Sequence, residues 1–221
     1  MNTKTTVGLL AGLLLASSAS TANAEGRIPA LYEVRITNVT SGVYFTPTLA
    51  ATHAPSVRMF QLGAPASAEL AALAESGDVA PLRAVLDSLG REVSETAVAG
   101  GLLGPGASTV FTVRGRPSQD RLSMAAMLLP TNDGFYALDA VALPSRGSAS
   151  YTALGHDAGS EYNDELCVHI PGPQCAGAGL SAEDGEGYVH VHPGTHGMAD
   201  LSRASYDWRN PVALVTVTRI Q

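Results

Sequence analysis

The chain has 221 residues, 45% of them apolar and only 15% charged, with 23 glycines and 13 prolines. A composition this poor in charge and this rich in turn formers excludes long surface helices laced with ion pairs, and points to one substantial core built mainly of strands. Thirteen basic against 20 acidic residues give a net charge of −7, which argues against binding by neutralisation of nucleic-acid phosphates or anionic lipid and makes a cation the fitting charged partner.

Met1–Ala24 carries Lys4, an apolar run from Val7 to Ala16, and then Ala22-Asn23-Ala24, with small residues at the two positions a signal peptidase reads. This is the pattern of a cleaved secretory signal. A membrane anchor needs about 20 unbroken apolar residues, and here Ser17, Ser18, Ser20 and Thr21 follow the run. The expectation is a secreted or periplasmic protein with one domain over residues 25–221 and no later membrane span. Loss of Lys4 leaves 12 basic and 20 acidic residues, a net charge of −8. In an oxidising compartment Cys167 and Cys175, eight positions apart, are expected to form a local disulfide around Ile170-Pro171-Gly172-Pro173.

Leu31–Val39 alternates Tyr32, Val34 and Ile36 with Glu33, Arg35 and Thr37, the period of a half-buried strand. Similar patterns predict strands at Tyr44–Ala51, Thr109–Arg114, Leu122–Leu129, Tyr136–Leu143, Tyr151–Leu154, Tyr188–His192 and Val212–Ile220. Eight strands suit an all-β sandwich. Between Ser67 and Gly90 the period changes to that of a helix, with Leu70, Leu73, Leu82, Val85, Leu86 and Leu89 in register. Ser67 and Asp78 stand as N-caps and Gly77 and Gly90 as stops, so a short helical hairpin is inserted into the β chain.

Two segments concentrate oxygen donors at turns: Pro130-Thr131-Asn132-Asp133-Gly134, and His156 to Glu165 with Asp157, Glu161, Asp164 and Glu165. Calcium takes six to eight such oxygens from flexible loops. Asn-Asp-Gly is equally a hairpin turn, and the second stretch equally a solvated loop. The spacing does not match the twelve-residue EF-hand loop.

The run Leu129 to Phe135, then Asp157-Ala158-Gly159-Ser160-Glu161, then Asn210-Pro211-Val212-Ala213 leading to Thr218-Arg219-Ile220, resembles the spondin N-terminal domain family, that of F-spondin and mindin. The Leu70–Asp78 segment is also similar to a helix of that family, and the likeness covers about residues 31–220. The resemblance implies a C2-like antiparallel β-sandwich with calcium held at one end, and a non-enzymatic role in extracellular or envelope binding or adhesion. Its partner would be a protein or glycan outside the cytoplasm. Carried over by position, the calcium ligands are Asp133, Asp157 and Glu161, the last replacing an aspartate. The bacterial-looking leader and the Asn132-Asp133-Gly134 variant of the turn suggest a stand-alone exported member of bacterial type.

Tyr188-Val189-His190-Val191-His192 followed by Pro193-Gly194-Thr195-His196 supports a different chemistry. On a strand His190 and His192 share a face, and His196 can fold back over the turn. Three histidines with an open fourth position are a zinc or copper geometry, for which Glu186 or Asp200 would be the general base of an enzyme. Histidines in a glycine-rich loop also bond the main chain or rim a surface. His53, His156 and His169 are read as structural or solvated, and Trp208 as a plug beside the last strand.

Overall fold

The structure is a computed structural model that describes residues 28–180 and 185–221. The expected signal segment lies outside the described residues. Ten strands form one antiparallel sheet: β1 (Ala30–Asn38), β2 (Tyr44–Phe45), β3 (Thr48–His53), β4 (Val93–Ala99), β5 (Ser108–Gly115), β6 (Arg121–Leu129), β7 (Gly134–Ala142), β8 (Ser148–Asp157), β9 (His190–Val191) and β10 (Ala213–Arg219). Their order is β4-β3-β6-β7-β8-β10-β1-β5, with β2 on β6 and β9 on β8. The sheet folds over on itself until its two ends meet. There the Arg114 N–H on β5 donates to the Glu95 carboxylate on β4, and the Thr52 hydroxyl donates to the Arg114 carbonyl.

Alternation decides which residues face the interior. Tyr32, Val34 and Ile36 of β1 and Ala213, Val215 and Val217 of β10 are buried, and they meet Met124, Ala126, Leu128 and Tyr136 from the opposite half in one core. Tyr136 stacks on Phe45, ring centroids 4.5 Å apart, and its hydroxyl bonds Thr48 Oγ1 at 2.7 Å. β3 and β6 are buried on both faces, because a second core lies outside them. Leu49, Ala51, Ala125, Phe135 and Ala137 point outward there, against Leu70, Leu73, Leu82 and Leu86 of the two helices.

Those helices are α1 (Ala68–Ser76) and α2 (Ala80–Ser88). Ser67 caps α1 by accepting the Leu70 N–H, and Gly77 ends it at φ +71°. The cap expected at Asp78 sits one residue earlier than the N-cap proper, which is Val79; the Asp78 carboxylate still accepts the Ala80 N–H at 2.9 Å. Val85 and Leu89 are 42% and 40% exposed, since the buried stripe of a two-turn helix is narrower than its apolar spacing. A one-turn helix, α3 (Arg203–Tyr206), precedes β10.

Two expected strands and one unexpected strand need correction. Tyr44–Ala51 is broken into β2 and β3 around Pro47, which has no N–H to give a ladder. The strand expected at Tyr188–His192 is only His190–Val191. Strand β4 was not expected at all: it is partly buried along almost its whole length and has no alternation of large apolar residues to announce it.

Leu73 is fully buried between α1 and the outer face of the sheet. Leu73→Ala is expected to cost about 2–5 kcal/mol by urea unfolding, whereas Leu89→Ala, at a half-exposed site, should stay within about 0.5 kcal/mol.

Candidate metal centre

Strand pairing brings the acidic loops together. Asp133 immediately precedes β7 and Asp157 ends β8, and the ladder sets Gly134 opposite Asp157. On the other side of β8 the short β9 sets His190 opposite Asp157. The β6–β7 turn is fixed by Thr131, whose hydroxyl donates to the Leu128 carbonyl at 2.5 Å and accepts the Gly134 N–H at 3.0 Å. A Cβ on Gly134 would lie 2.6 Å from that hydroxyl and 2.9 Å from the His192 ring, so only glycine admits both neighbours.

Asp133 and Asp157 are completely buried. Asp133 Oδ2 accepts the N–H groups of Ser160 (2.8 Å) and Glu161 (3.1 Å) and the Ser160 hydroxyl (3.3 Å). Its Oδ1 is buried with no hydrogen-bond partner among the described residues. Asp157 accepts the Gly159 N–H at Oδ1 (2.8 Å) and the Asn163 amide at Oδ2 (2.7 Å). Gly159, at φ +63°, is required here, because a Cβ would lie 2.3 Å from the Tyr188 carbonyl oxygen.

Burial, and then the adjacent Asp157 carboxylate, push the Asp133 carboxyl up to about 8 against the pull of the Glu161 and Ser160 amides. Burial also raises Asp157, opposed by Asn163, Gly159 and His190. No arginine pairs with Asp133, Asp157 or Glu186 among the described residues; the basic neighbours are the histidines His190 and His192. Two adjacent buried carboxylates without a matching cation are costly, and a divalent ion would relieve both desolvation and repulsion.

The histidines divide by tautomer. His190 Nδ1 donates to the Val191 carbonyl at 3.0 Å, which in the neutral ring leaves the lone pair on Nε2. That atom lies 3.5 Å from Asp157 Oδ1 and 3.8 Å from Glu186 Oε2. Burial lowers the His190 pKa, but the Val191 carbonyl, Asp157 and Glu186 together carry it above its ordinary value. His192 is the reverse case. Its Nδ1 accepts the Gly194 N–H at 3.0 Å, so the neutral ring carries its proton on Nε2, 3.9 Å from Asp157 Oδ2. Burial, then the nearby His190 and His196, push His192 down to about 3. Trp208 packs on this ring at 4.8 Å, the plug expected of it.

Asp157, Glu186 and His190 each offer one ligand atom, and these atoms lie within 4.8 Å of one another. Of the expected residues, the structure thus joins Asp157 and His190, with Asp133 beside them. Glu161 is buried and gives its N–H to Asp133, but its carboxyl is not part of the three-residue group. His192 faces Asp157 with an N–H, and exposed His196 is held through its main-chain N–H by Glu165 Oε1 at 2.5 Å. Asp200 accepts the Cys167 N–H in the loop closed by the Cys167–Cys175 disulfide. Glu186, expected only as a base, is a candidate ligand, and Asn163, which orients Asp157, was not singled out. Asn163 stands inside the acidic 156–165 segment and Glu186 just before the histidine cluster, and only the fold brings the two together. His53 bonds Ser123 at 2.8 Å and His169 bonds Asp164 at 2.6 Å, both structural roles.

Fold and site define an all-β module whose acidic and histidine groups gather at strand ends and adjoining loops at one end of the sheet. The Spondin_N family model matches residues 36–154. The chain belongs to the spondin N-terminal domain family, and that membership with the disulfide points to an extracellular protein. No curated protein matches the chain. No helix among the described residues is long and apolar enough to cross a membrane. Asp133 falls within the matched span, whereas Asp157, Glu186 and His190 lie beyond it.

A carboxyl raised in the folded state holds a proton that the unfolded chain has already lost. Between about pH 4 and 8 the Asp133 carboxyl therefore makes the metal-free fold less stable as pH rises. His156, buried against Phe60 and Phe135 and pushed down to about 4, acts with His192 in the opposite sense, costing stability as pH falls below their ordinary 6.5. In chelator, Asp133→Asn should melt above the wild type at pH 8 by about 2–4 °C or more, the shift of about 1 kcal/mol in a chain of this size. The gap should close toward pH 4, and melts across that range check it.

Proposed function

We propose that the chain is an exported binding module, one domain over residues 25–221, in which a divalent cation, calcium first, sets the loops of one end for recognition of an extracellular or envelope protein or glycan. The role is non-enzymatic and secreted or periplasmic. The observation that carries this reading is the facing pair of buried carboxylates, Asp133 and Asp157, with one oxygen of Asp133 unpartnered. Asp133, Asp157 and Glu186 would hold the ion, with Glu161 close by through its main chain. Calcium favours such oxygen donors on loops. Holding these side chains would also hold the β6–β7 turn, the loop after β8 and the segment before β9, and that ordered rim is the recognition surface.

A second reading has its own observation. The Nε2 lone pair of His190, aimed at two carboxylates, suits zinc or copper better than calcium. Zinc held by His190, Asp157 and Glu186 would serve the alternative of a metal-dependent enzyme. His192 does not fit as a further ligand in this form, since it turns an N–H and not a lone pair toward the site.

A thermal melt of the chelated protein with calcium, magnesium or zinc added back separates the two. If free calcium reaches about 100 times its Kd, the gain is about 2.7 kcal/mol, or roughly 5–10 °C at about 2–4 °C per kcal/mol. Asp157→Asn should abolish the calcium shift, and His190→Gln should leave it nearly intact. A shift with zinc alone, lost in His190→Gln, would overturn calcium in favour of the second reading.

A further inference from the structure

The chain holds seven tyrosines, four phenylalanines and one tryptophan. Of these only Tyr162 and Tyr188 are exposed, 58% and 46%. Both stand in the segments that build the acidic end. Tyr188 lies between Glu186 and His190, its ring centroid 5.3 Å from that of His190. Tyr162 directly precedes Asn163, whose amide reaches Asp157 Oδ2 at 2.7 Å and Glu186 Oε1 at 3.4 Å and so ties the two segments together. The other aromatic rings go into the core or its margins, so exposure of two at this one place has a reason other than folding.

Neither tyrosine sits on loose backbone. Val189, beside Tyr188, is buried in the outer core and gives its N–H to the Ala64 carbonyl at 2.8 Å, while Gly187 gives its N–H to the Gly159 carbonyl at 2.8 Å. Tyr162 follows buried Glu161, and its carbonyl accepts the Asp164 N–H at 2.8 Å. A tyrosine held through its main chain has only two side-chain torsions to order on binding, so it offers a wide apolar face at small entropic cost.

The metal group is itself open on one side. Asp133 and Asp157 are completely buried, but the side chain of Glu186 is 36% exposed and that of His190 24%. Calcium takes six to eight oxygens. Asp133, Asp157 and Glu186 carry two each, and Asp133 Oδ2 already accepts three hydrogen bonds. An ion held here therefore keeps positions for oxygens from outside. Three carboxylates outweigh the double charge of the ion, on a chain of net charge −8 without its leader. An incoming carboxylate or phosphate is repelled, whereas neutral hydroxyl oxygens are not.

On the reading that a divalent cation occupies this end, we infer that its ligand is a neutral glycan. Two adjacent hydroxyls of one pyranose complete the coordination of the ion, and the C–H face of the glycan stacks on Tyr188. Tyr162, on the other segment, is the second aromatic contact. A neutral sugar joins the two properties this surface selects for, uncharged paired oxygens and an apolar face beside them.

The probe is an array of neutral glycans, with acidic glycans and polyglutamate beside them, overlaid with the full mature chain in calcium or in chelator. The expected result is retention on neutral sugars with adjacent free hydroxyls, lost in chelator and competed by the free methyl glycoside but not by its deoxy analogue. Tyr188→Ala should weaken binding about two- to tenfold, the worth of one aromatic contact, and Tyr188→Phe should preserve it. Both variants should keep the calcium-induced melting shift, because this ring is exposed and ligates nothing. Asp157→Asn should lose the shift and the retention together. If calcium raises the melting temperature but no neutral glycan is retained, or if retention survives chelator or Tyr188→Ala undiminished, the glycan is overturned while the cation site stands. Retention on polyglutamate or acidic glycans alone would overturn it in favour of an anionic partner. The absence of any calcium shift would remove both readings.

Discussion

The structure turns on one strand that changes partners. β8 runs its first half against β10, Ser148–Ala153, and its second half against β7, Leu154–Asp157. Where β10 has ended, the Asn210 side chain takes its place, accepting the Gly155 N–H at 2.7 Å, and β9 follows at His156 and Asp157. This exchange joins the two halves of the sheet into one continuous ladder. It also delivers Asp157 to the rim beside Asp133. Scaffold and acidic end are thus two results of one pairing pattern, and a register slip in β8 would disturb both.

The acidic end is held by main-chain donors. Ser160 and Glu161 amides bind Asp133, and the Gly159 amide binds Asp157, so the loop after β8 is wrapped around the very carboxylates it presents. Those amides lower the cost of burying charge without cancelling it, which leaves the pair protonated or in need of a cation at neutral pH. The part of the chain that matches the family model stops at residue 154, just before this loop. Asp157, Glu186 and His190 of the acidic end lie outside the matched span, and Asp133 lies within it.

Much of the sheet was legible because burial on one face writes itself as alternation. β1 and β10 show it almost without interruption, and both were placed to within a residue or so. β4 was invisible for the same reason: Val93-Ser94-Glu95-Thr96-Ala97-Val98-Ala99 is partly buried throughout most of its length, so no period stands out. In the site, Asp133, Asp157 and His190 were readable as chemistry before anything was known of their positions. Glu186 was read only as a base for a histidine centre, because its place beside Asp157 depends on β9 pairing with the end of β8. The division of labour between His190 and His192 was beyond any sequence pattern. Both belong to one HxH motif, and it is the Val191 carbonyl and the Gly194 amide that give their rings opposite tautomers.

The packing of Trp208 on His192 has a practical side. The chain contains a single tryptophan, 7% exposed and 4.8 Å from a ring whose Nε2 faces Asp157. Its emission therefore comes from one known place, two contacts away from the carboxylate pair, with no background from other indoles. Any event that shifts His192 or the electric field across Asp157 is reported optically by the unmodified protein.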